Sequence, residues 1–220
     1  MPGRIGLVKI LGGIVIATGL AVVVGWVFDI GALKSILPAW VTMKFSTAIC
    51  FIASGLILYF GAQAQRGNKE IAQLVLPISS LVIFLFMASL LASVFLGIRT
   101  GIEDLFVQET VGAVKTTTPG RPSVGTMVDF ILIGVTGILV AFRISGLRQW
   151  LLRLGVIVGT IGAVGVTGYI LDQPLLYYTI PGFSTAMACH TAILFTLVGI
   201  GLFLVGSVLG SETGSLKAKG

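Results

Sequence analysis

The chain has few charged residues. They make up 10% of its 220 residues, whereas about 25% of the residues of a soluble domain are charged. Hydrophobic residues make up 56%, so the chain cannot cover itself with a water-soluble surface. This composition excludes a soluble globular protein and predicts an integral membrane protein. The net charge of +6 includes no basic run of the kind that binds nucleic acid.

Histidine and cysteine are scarce, and the familiar catalytic motifs are missing. The chain has one histidine and two cysteines, Cys50 and Cys189. Both cysteines lie inside apolar runs, so we do not expect a disulfide framework. No GxSxG, HExxH, P-loop, CxxC or dinucleotide-binding motif occurs. We therefore expect no enzymatic activity and no resident metal site.

Long apolar runs dominate the chain instead. A helix needs about 20 predominantly apolar residues to cross a bilayer, and six segments of the sequence meet this requirement. We predict an all-α integral membrane protein with a single membrane domain at 1–210 and a cytoplasmic tail at 211–220. The six predicted transmembrane helices are roughly 6–28, 42–64, 71–97, 124–143, 149–171 and 185–209.

The distribution of Lys and Arg predicts how the helices are oriented. Cytoplasmic segments of membrane proteins carry an excess of these residues. With six spans both termini share one side, and this side would hold nine of the 14 Lys and Arg residues. We therefore expect a multi-pass protein of the cell inner membrane with both termini in the cytoplasm. Trp26 and Tyr169 would then lie in an aromatic belt at the outer interface.

Two parts of the sequence share one pattern. MKFSTAICFIASG (Met43–Gly55) and MACHTAILFTLVG (Met187–Gly199) both fit M-x-x-[S/H]-T-A-x-x-F-x-x-x-G. A weaker third copy, TMVDFILIGVTGIL (Thr126–Leu139), keeps the threonine, the phenylalanine and the glycine. The copies predict three parallel helical-hairpin repeats in a pseudo-threefold bundle, with the shared glycine as a contact point between helices. The repeats would span about 1–68, 69–146 and 147–210.

The similarity extends to the segments that precede the first and last copies. GWVFDIGALKSILP aligns with GYILDQPLLYYTIP, so that Trp26 meets Tyr169 and Asp29 meets Asp172. An acid at the C-terminus of a helix is unfavourable for the helix dipole. We therefore predict that both aspartates cap the short helix that follows, rather than bind an ion.

The stretches WVFDIGALKSILPAWVTMKFSTAICF and MACHTAILFTLVGIGLFLV resemble the N-terminal multi-helix membrane sensor module of bacterial and archaeal PAS-containing histidine kinases and diguanylate cyclases. The similarity covers nearly the whole chain. It implies a sensory or ligand-binding membrane module, here without a fused output domain after GSETGSLKAKG. The first alternative is an accessory or structural subunit of a larger membrane protein complex. A small transporter ranks last, because transporters usually have broken helices around charged groups.

Asp129 is the clearest ionisable residue inside a predicted span. Such groups are costly in the membrane and are functional candidates by default. In the other copies of the pattern, Cys50 and Leu194 occupy its place. The structural alternative is an aspartate that pairs with Lys44 or Arg121 near the outer interface.

His190 is the only histidine and also lies in a predicted span. The structural alternative is a histidine that donates a hydrogen bond to the backbone of a neighbouring helix. Ligation of haem or a metal would need further ligands, and the candidates at comparable depth are Met187, Cys189, Cys50 and Asp129. A different flat cofactor would have to lie against the glycine stripe of the fifth helix, where close helix packing is the simpler interpretation.

These residues suggest where the protein works. The outer half would form a shallow pocket between the three returning helices, covered by the segment 98–123. It would hold an amphiphilic small molecule or the helix of a membrane protein partner or second copy. His190 and Asp129 would supply its polar contacts, because a buried polar group persists only when something pairs with it. The aromatic binding candidates are Phe51, Phe130, Phe195, Trp26 and Tyr169.

Cysteines introduced at Gly3 and Gly220 test the predicted topology. Both should react with a membrane-impermeant thiol reagent from the cytoplasmic side only, because the excess of Lys and Arg retains the termini there. Labelling of either position from outside, in intact cells, would contradict the topology.

Overall fold

The structure, a computed structural model, describes residues 2–64, 70–109, 112–178 and 183–217. All regular elements within these ranges are helical. Two of them are single 3₁₀ turns, at Ile102–Asp104 and Pro174–Leu176. The α-helices are α1 (Pro2–Val27), α2 (Gly31–Lys34), α3 (Phe45–Ala64), α4 (Glu70–Leu96), α5 (Val124–Ala141), α6 (Leu147–Ile170) and α7 (Cys189–Lys217).

Six of these helices are long and apolar enough to cross a membrane, namely all except the short α2. This confirms the predicted number of apolar helices and a multi-pass membrane protein. The helix α7 continues to Lys217, so most of the predicted tail at 211–220 has a helical backbone, while 218–220 lie outside the described residues.

The helices surround a buried centre formed by α3, α5 and α7. These three bury a larger share of their residues than α1, α4 and α6 do. The most extensive contacts of α1 are with α3, those of α4 are with α5, and those of α6 are with α7. Each outer helix therefore packs chiefly against the central helix that follows it in the chain.

Glycines bring each outer helix into backbone contact with its central neighbour. A β-carbon on Gly55 of α3 would lie 2.6 Å from the carbonyl oxygen of Gly12 in α1. One on Gly134 of α5 would lie 3.1 Å from the carbonyl oxygen of Ser80 in α4, and one on Gly199 would collide with the backbone of α6. At Gly55 and Gly199 such contacts need a residue without a β-carbon, whereas at Gly134 a β-carbon would require the neighbour to move by a few tenths of an ångström. The three glycines of the sequence pattern are therefore contact points between helices, as predicted.

The three outer helices end in the same way. Each is followed by a residue with a left-handed backbone: Asp29 (φ 56°), Gly97 (φ 65°) and Asp172 (φ 49°). The next N–H group then donates back to a carbonyl in the last turn of the helix, which is a common way to end a helix. These hydrogen bonds join Ile30 to Gly25 (2.8 Å), Ile98 to Ser93 (3.1 Å) and Gln173 to Gly168 (2.8 Å).

The predicted capping role of Asp29 and Asp172 is wrong. The residue that precedes the helix α2 is Ile30, and the residue that precedes the second 3₁₀ turn is Gln173. Neither the helix nor the turn is capped by a side-chain hydrogen bond. Both aspartates instead terminate the preceding helix, because Asp tolerates the left-handed conformation better than most residues. The carboxylate of Asp29 pairs with the ammonium of Lys34 at 2.5 Å, and that hydrogen bond lowers the pKa of Asp29.

Substitution of Gly55 by alanine tests the backbone contact between α1 and α3. The added methyl group would collide with the Gly12 carbonyl, so we expect Gly55→Ala to lower the free energy of unfolding by about 1–3 kcal/mol. The matched control is Gly13→Ala, because a β-carbon there has no heavy atom within 4 Å. Thermal unfolding in detergent measures both. Equal stability of the two variants would show that the helices do not meet at Gly55.

Candidate functional site

Three aromatic rings fill the centre of the bundle. Phe51 of α3, Phe130 of α5 and Phe195 of α7 are fully buried. Their ring centroids lie 4.8–4.9 Å apart in all three pairs, within the range of favourable aromatic contacts. The structure thus brings the three predicted phenylalanines together, and they pack against one another in the bundle core.

We call the end of the bundle that carries the segments 28–44, 97–123 and 171–188 the loop side. The helices α3, α5 and α7 all begin there. Their first helical hydrogen bonds are accepted by the carbonyls of Lys44, Ser123 and Ala188. The N-terminal turns of the three central helices therefore lie together at this side.

Trp26 and Tyr169 hold the chain in place where it enters α3 and α7. The indole N–H of Trp26 donates to the carbonyl of Met43 at 2.8 Å, and the hydroxyl of Tyr169 donates to the carbonyl of Met187 at 2.8 Å. The Trp40 ring lies 4.9 Å from that of Tyr169. Trp26 and Tyr169, which were predicted to lie in an outer aromatic belt and in a binding site, thus tie loop-side segments to outer helices.

A second contact supports each of these two rings. The ammonium of Lys34 lies 4.8 Å from the centre of the Trp26 ring, and the ring of Tyr177 stacks on Tyr169 at 4.0 Å. Lys115 of the segment 97–123 donates to the hydroxyl of Tyr177 at 2.6 Å. The long segment is thereby fastened to the chain between α6 and α7.

A buried ion pair fastens the same segment to the beginning of α3. The ammonium of Lys44 lies 2.5 Å from a carboxylate oxygen of Glu109, and the side chains are 3% and 4% exposed. Glu109 also accepts from the hydroxyl of Thr42 at 3.0 Å and from the N–H of Gly120 at 2.8 Å. Burial lowers the pKa of Lys44, while the negative charge of Glu109 opposes this shift.

A second ion pair joins the early part of this segment to its late part. Arg121 contacts the carboxylate of Glu103 at 2.6 Å and donates to the carbonyl of Ile98 at 2.7 Å. Burial alone would raise the pKa of Glu103, but hydrogen bonds from Arg121 and Thr100 help to lower it. The segment is therefore a packed cover with a single 3₁₀ turn among its described residues.

Asp129 lies in the second turn of α5 and is fully buried. Neither carboxylate oxygen has a hydrogen-bond partner among the described residues. The predicted pairing with Lys44 or Arg121 is wrong, because these cations pair with Glu109 and Glu103. Sequence reasoning did not identify either glutamate as a partner, although the available signal was a long segment with three acids and three basic residues.

His190 lies in the first turn of α7 and is 9% exposed. Neither ring nitrogen has a hydrogen-bond partner among the described residues, so the predicted bond to a neighbouring backbone is not formed there. His190 is among the residues that line a cavity of about 190 Å³ beside α1 and α2, but both ring nitrogens are buried away from accessible space. The other lining residues are Thr18, Ala21, Val22, Ala32, Leu33, Ser35 and Ile36.

Cofactor binding has little support in the described residues. They contain no group of three His, Cys, Asp or Glu side chains that could hold a metal ion. The glycine stripe of α6 faces α7: a β-carbon on Gly155 would lie 2.7 Å from a backbone atom of α7, and one on Gly162 would lie 2.6 Å from another. The stripe is thus partly occupied by helix packing, while Gly155 and Gly159 also line a groove of about 420 Å³ between α6 and α7.

Unpartnered polar groups are concentrated at the loop side. Among the described residues, the buried side chains with unpartnered polar atoms are Ser46, Asp129, Thr185 and His190. All four lie in, or just before, the first two turns of a central helix. No family model, curated protein or solved structure matches the chain. Function must therefore be inferred from these residues and their surroundings.

A double-mutant cycle tests the ion pair that fastens the cover. We expect Lys44→Met alone to lower the free energy of unfolding by about 3–5 kcal/mol, because it leaves the Glu109 carboxylate buried without its cation. The double variant Lys44→Met, Glu109→Gln should lose clearly less than the sum of the two single losses. Unfolding of the purified protein in detergent measures all four forms. Additive losses would show that the pair contributes no coupling.

Proposed function

We propose that the chain is a non-enzymatic sensory or ligand-binding membrane module whose binding site lies at the loop side. The observation that carries this proposal is the group of buried, unpartnered polar atoms of His190 and Asp129. A buried polar group without a partner costs about 1–3 kcal/mol, and native proteins keep few of them. A bound molecule that supplies the missing partners would offset this cost.

The proposed architecture is three parallel hairpin repeats around a pseudo-threefold axis. The equivalent helix ends after α1, α4 and α6 support it, as does the central contact of Phe51, Phe130 and Phe195. So do the matching hydrogen bonds of Trp26 to Met43 and of Tyr169 to Met187. In this arrangement the shape of a cavity between two repeats changes with the relative position of these repeats, as a sensor requires.

In the proposed orientation the protein lies in the cell inner membrane, with both termini in the cytoplasm and the loop side on the opposite face of the membrane. The excess of Lys and Arg on the side of the termini supports it. The guanidinium of Arg4 donates to the hydroxyl of Ser207 at 3.4 Å, so the beginning of α1 and the later part of α7 lie on one side. A site at the loop side would then be reached from the outer leaflet or from outside the cell.

The resemblance to sensor modules of histidine kinases and diguanylate cyclases favours a sensory role within this proposal. The cavity at His190 lies between α7 and the α1–α2 region, which belong to different proposed repeats. A ligand that contacts both would stabilise one relative position of these helices over others. Such differential binding is what couples a ligand to a conformational change.

An accessory subunit of a larger membrane protein complex is the second candidate. A groove of about 420 Å³ between α6 and α7 favours it, because small residues on a lipid-facing surface let another helix approach closely. The groove is lined by Gly155, Val156, Gly159, Thr160, Ala163, Val164, Thr167, Thr196, Gly199, Ile200, Phe203 and Leu204.

Substitution of the two unpartnered groups tests the binding function. We expect Asp129→Asn and His190→Gln to reduce by several-fold the amount of small molecule that co-purifies in mild detergent, because each alters a polar contact. Mass spectrometry of the purified protein measures it. Thr136→Val is the matched control, since Thr136 is buried but its hydroxyl already donates to the Leu132 carbonyl at 2.8 Å.

Two outcomes would contradict the proposal. Both variants could fold and retain the same bound molecules as the wild type, which would remove the binding role of these residues. Alternatively, a stoichiometric membrane protein could co-purify with the wild type and with both variants, while no small molecule does. The second outcome would support the accessory-subunit candidate.

A further inference from the structure

The groove between α6 and α7 is long enough to hold the acyl chain of a lipid. Its volume is about 420 Å³, and its lining residues on α6 extend from Gly155 to Thr167. This stretch measures about 18 Å along the helix axis at 1.5 Å per residue. The hydrocarbon of one bilayer leaflet is about 15 Å thick, which is half of the whole hydrocarbon core.

The walls of this groove are largely apolar. Side chains such as Val156 and Phe203 are exposed within it. Of its three threonines, Thr167 and Thr196 donate their hydroxyl groups to carbonyls of their own helices at 2.9 and 3.0 Å. The hydroxyl of the third, Thr160, has no partner among the described residues. With one free hydroxyl group, the groove suits a hydrocarbon chain better than a polar molecule.

Two arginines of α6 stand at the end of the groove that is remote from the loop side. Arg148 and Arg153 each precede a lining residue, Gly155 and Thr160 respectively, by seven residues. Seven residues make about two helical turns. Both arginines therefore continue the face of α6 that forms the groove, and both are exposed.

Arg4 of α1 reaches the same end of the groove. Its guanidinium donates to the hydroxyl of Ser207 at 3.4 Å, and Ser207 follows the lining residue Ile200 by seven residues on α7. A β-carbon on the neighbouring Gly206 would lie 3.2 Å from the carbonyl oxygen of Arg148. Arg4 and Arg148 thus lie at nearly the same depth, on two sides of α7.

The three arginines have no carboxylate partner. On the loop side, by contrast, the described ion pairs take up four basic side chains: Lys34 with Asp29, Lys44 with Glu109, Arg99 with Asp104, and Arg121 with Glu103. Arg4 and Arg148 also stand in the first turns of α1 and α6, and neither turn contains an acid. Because the positive end of a helix dipole lies in its first turn, an anion at this place would be favourable for both helices.

The phosphate of a phospholipid is the anion that this position favours. Arginine binds phosphate through two parallel hydrogen bonds. Trp150, two residues after Arg148, is 45% exposed, and tryptophan is enriched at the level of the lipid headgroups. A phosphatidylcholine headgroup carries its own positive charge, whereas a phosphatidylglycerol headgroup carries none. Unpaired arginines therefore favour the anionic headgroup.

We propose that an anionic phospholipid binds at this end of the bundle, with its phosphate at Arg4, Arg148 and Arg153 and one acyl chain in the groove between α6 and α7. The site is remote from the loop side and does not depend on the binding function proposed there. In the proposed orientation the lipid belongs to the cytoplasmic leaflet. A helix of another membrane protein is the other occupant that the groove admits, and the experiment distinguishes the two.

Native mass spectrometry of the purified protein in mild detergent tests the headgroup contact. The protein is titrated with phosphatidylglycerol or with phosphatidylcholine that has identical acyl chains, and the bound lipids are counted. The variants Arg4→Gln, Arg148→Gln and Arg153→Gln each remove one charge. The matched control is Arg99→Gln, which removes the charge of an exposed arginine that pairs with Asp104 on the loop side. Thermal unfolding confirms that each variant is folded.

We expect the wild type to bind phosphatidylglycerol more tightly than phosphatidylcholine. Each of the three substitutions should weaken the binding of phosphatidylglycerol by about fivefold, which is the effect of one basic residue near an anionic membrane surface. The binding of phosphatidylcholine should change little. Arg99→Gln should leave the affinities for both lipids unchanged.

The variant Ala163→Leu tests the acyl-chain contact. Ala163 lines the groove, so a larger side chain there occupies space that the chain would fill. Both lipids should bind several-fold more weakly, while the preference for phosphatidylglycerol remains. The matched control Ala17→Leu adds the same volume at an exposed position of α1 that does not line the groove and should change neither affinity.

Several outcomes would overturn the proposal. Equal affinity of the wild type for the two lipids, or an equal loss in Arg99→Gln, would reduce the arginines to general surface charge. Unchanged lipid binding by folded Ala163→Leu would show that no acyl chain lies in the groove. A stoichiometric membrane protein that is lost in Ala163→Leu, while no lipid is retained, would assign the groove to a partner helix. Displacement of phosphatidylglycerol by inorganic phosphate would assign the arginines to a free anion.

Discussion

The arrangement of the bundle depends on the contact among three aromatic rings at its centre. Phe51, Phe130 and Phe195 come from three different helices, and each ring touches the other two. Displacement of one central helix along its axis would break two aromatic contacts at once, and each such pair contributes about 0.5–1.5 kcal/mol beyond its burial. The ring cluster thereby sets the relative heights of α3, α5 and α7, and with them the positions of their N-terminal turns.

Two kinds of buried polar group occur above this cluster. Lys44 and Glu109 satisfy each other and are further held by neighbouring hydroxyl and N–H groups. His190 and Asp129 have no partner among the described residues. The first kind fastens the loop-side segments to one another, and the second leaves polar atoms without hydrogen-bond partners beside them. A binding site needs this combination, because a polar contact is selective only when its surroundings cannot move to satisfy it.

Composition and local pattern were enough to predict the six apolar helices and the contact glycines, since each depends on residues within one helix. Phe51, Phe130 and Phe195 were predicted as binding residues, whereas their rings pack against one another in the core. The partners of Lys44 and Arg121 were predicted wrongly, because Glu109 and Glu103 lie in a segment without regular periodicity. The role of Asp29 was also predicted wrongly. An aspartate between two helices can end the first or cap the second, and only the backbone conformation distinguishes these roles.

The buried pair of Lys44 and Glu109 also constrains the order in which the protein can assemble. The lysine stands at the beginning of α3, whereas its partner and the N–H of Gly120 that steadies this partner follow α4. During synthesis, α1 and α3 are therefore complete before the groups that neutralise Lys44 exist. Burial of Lys44 before that point would leave its charge without a partner, which is costly. Completion of the cover is thus the step that allows the beginning of α3 to be buried.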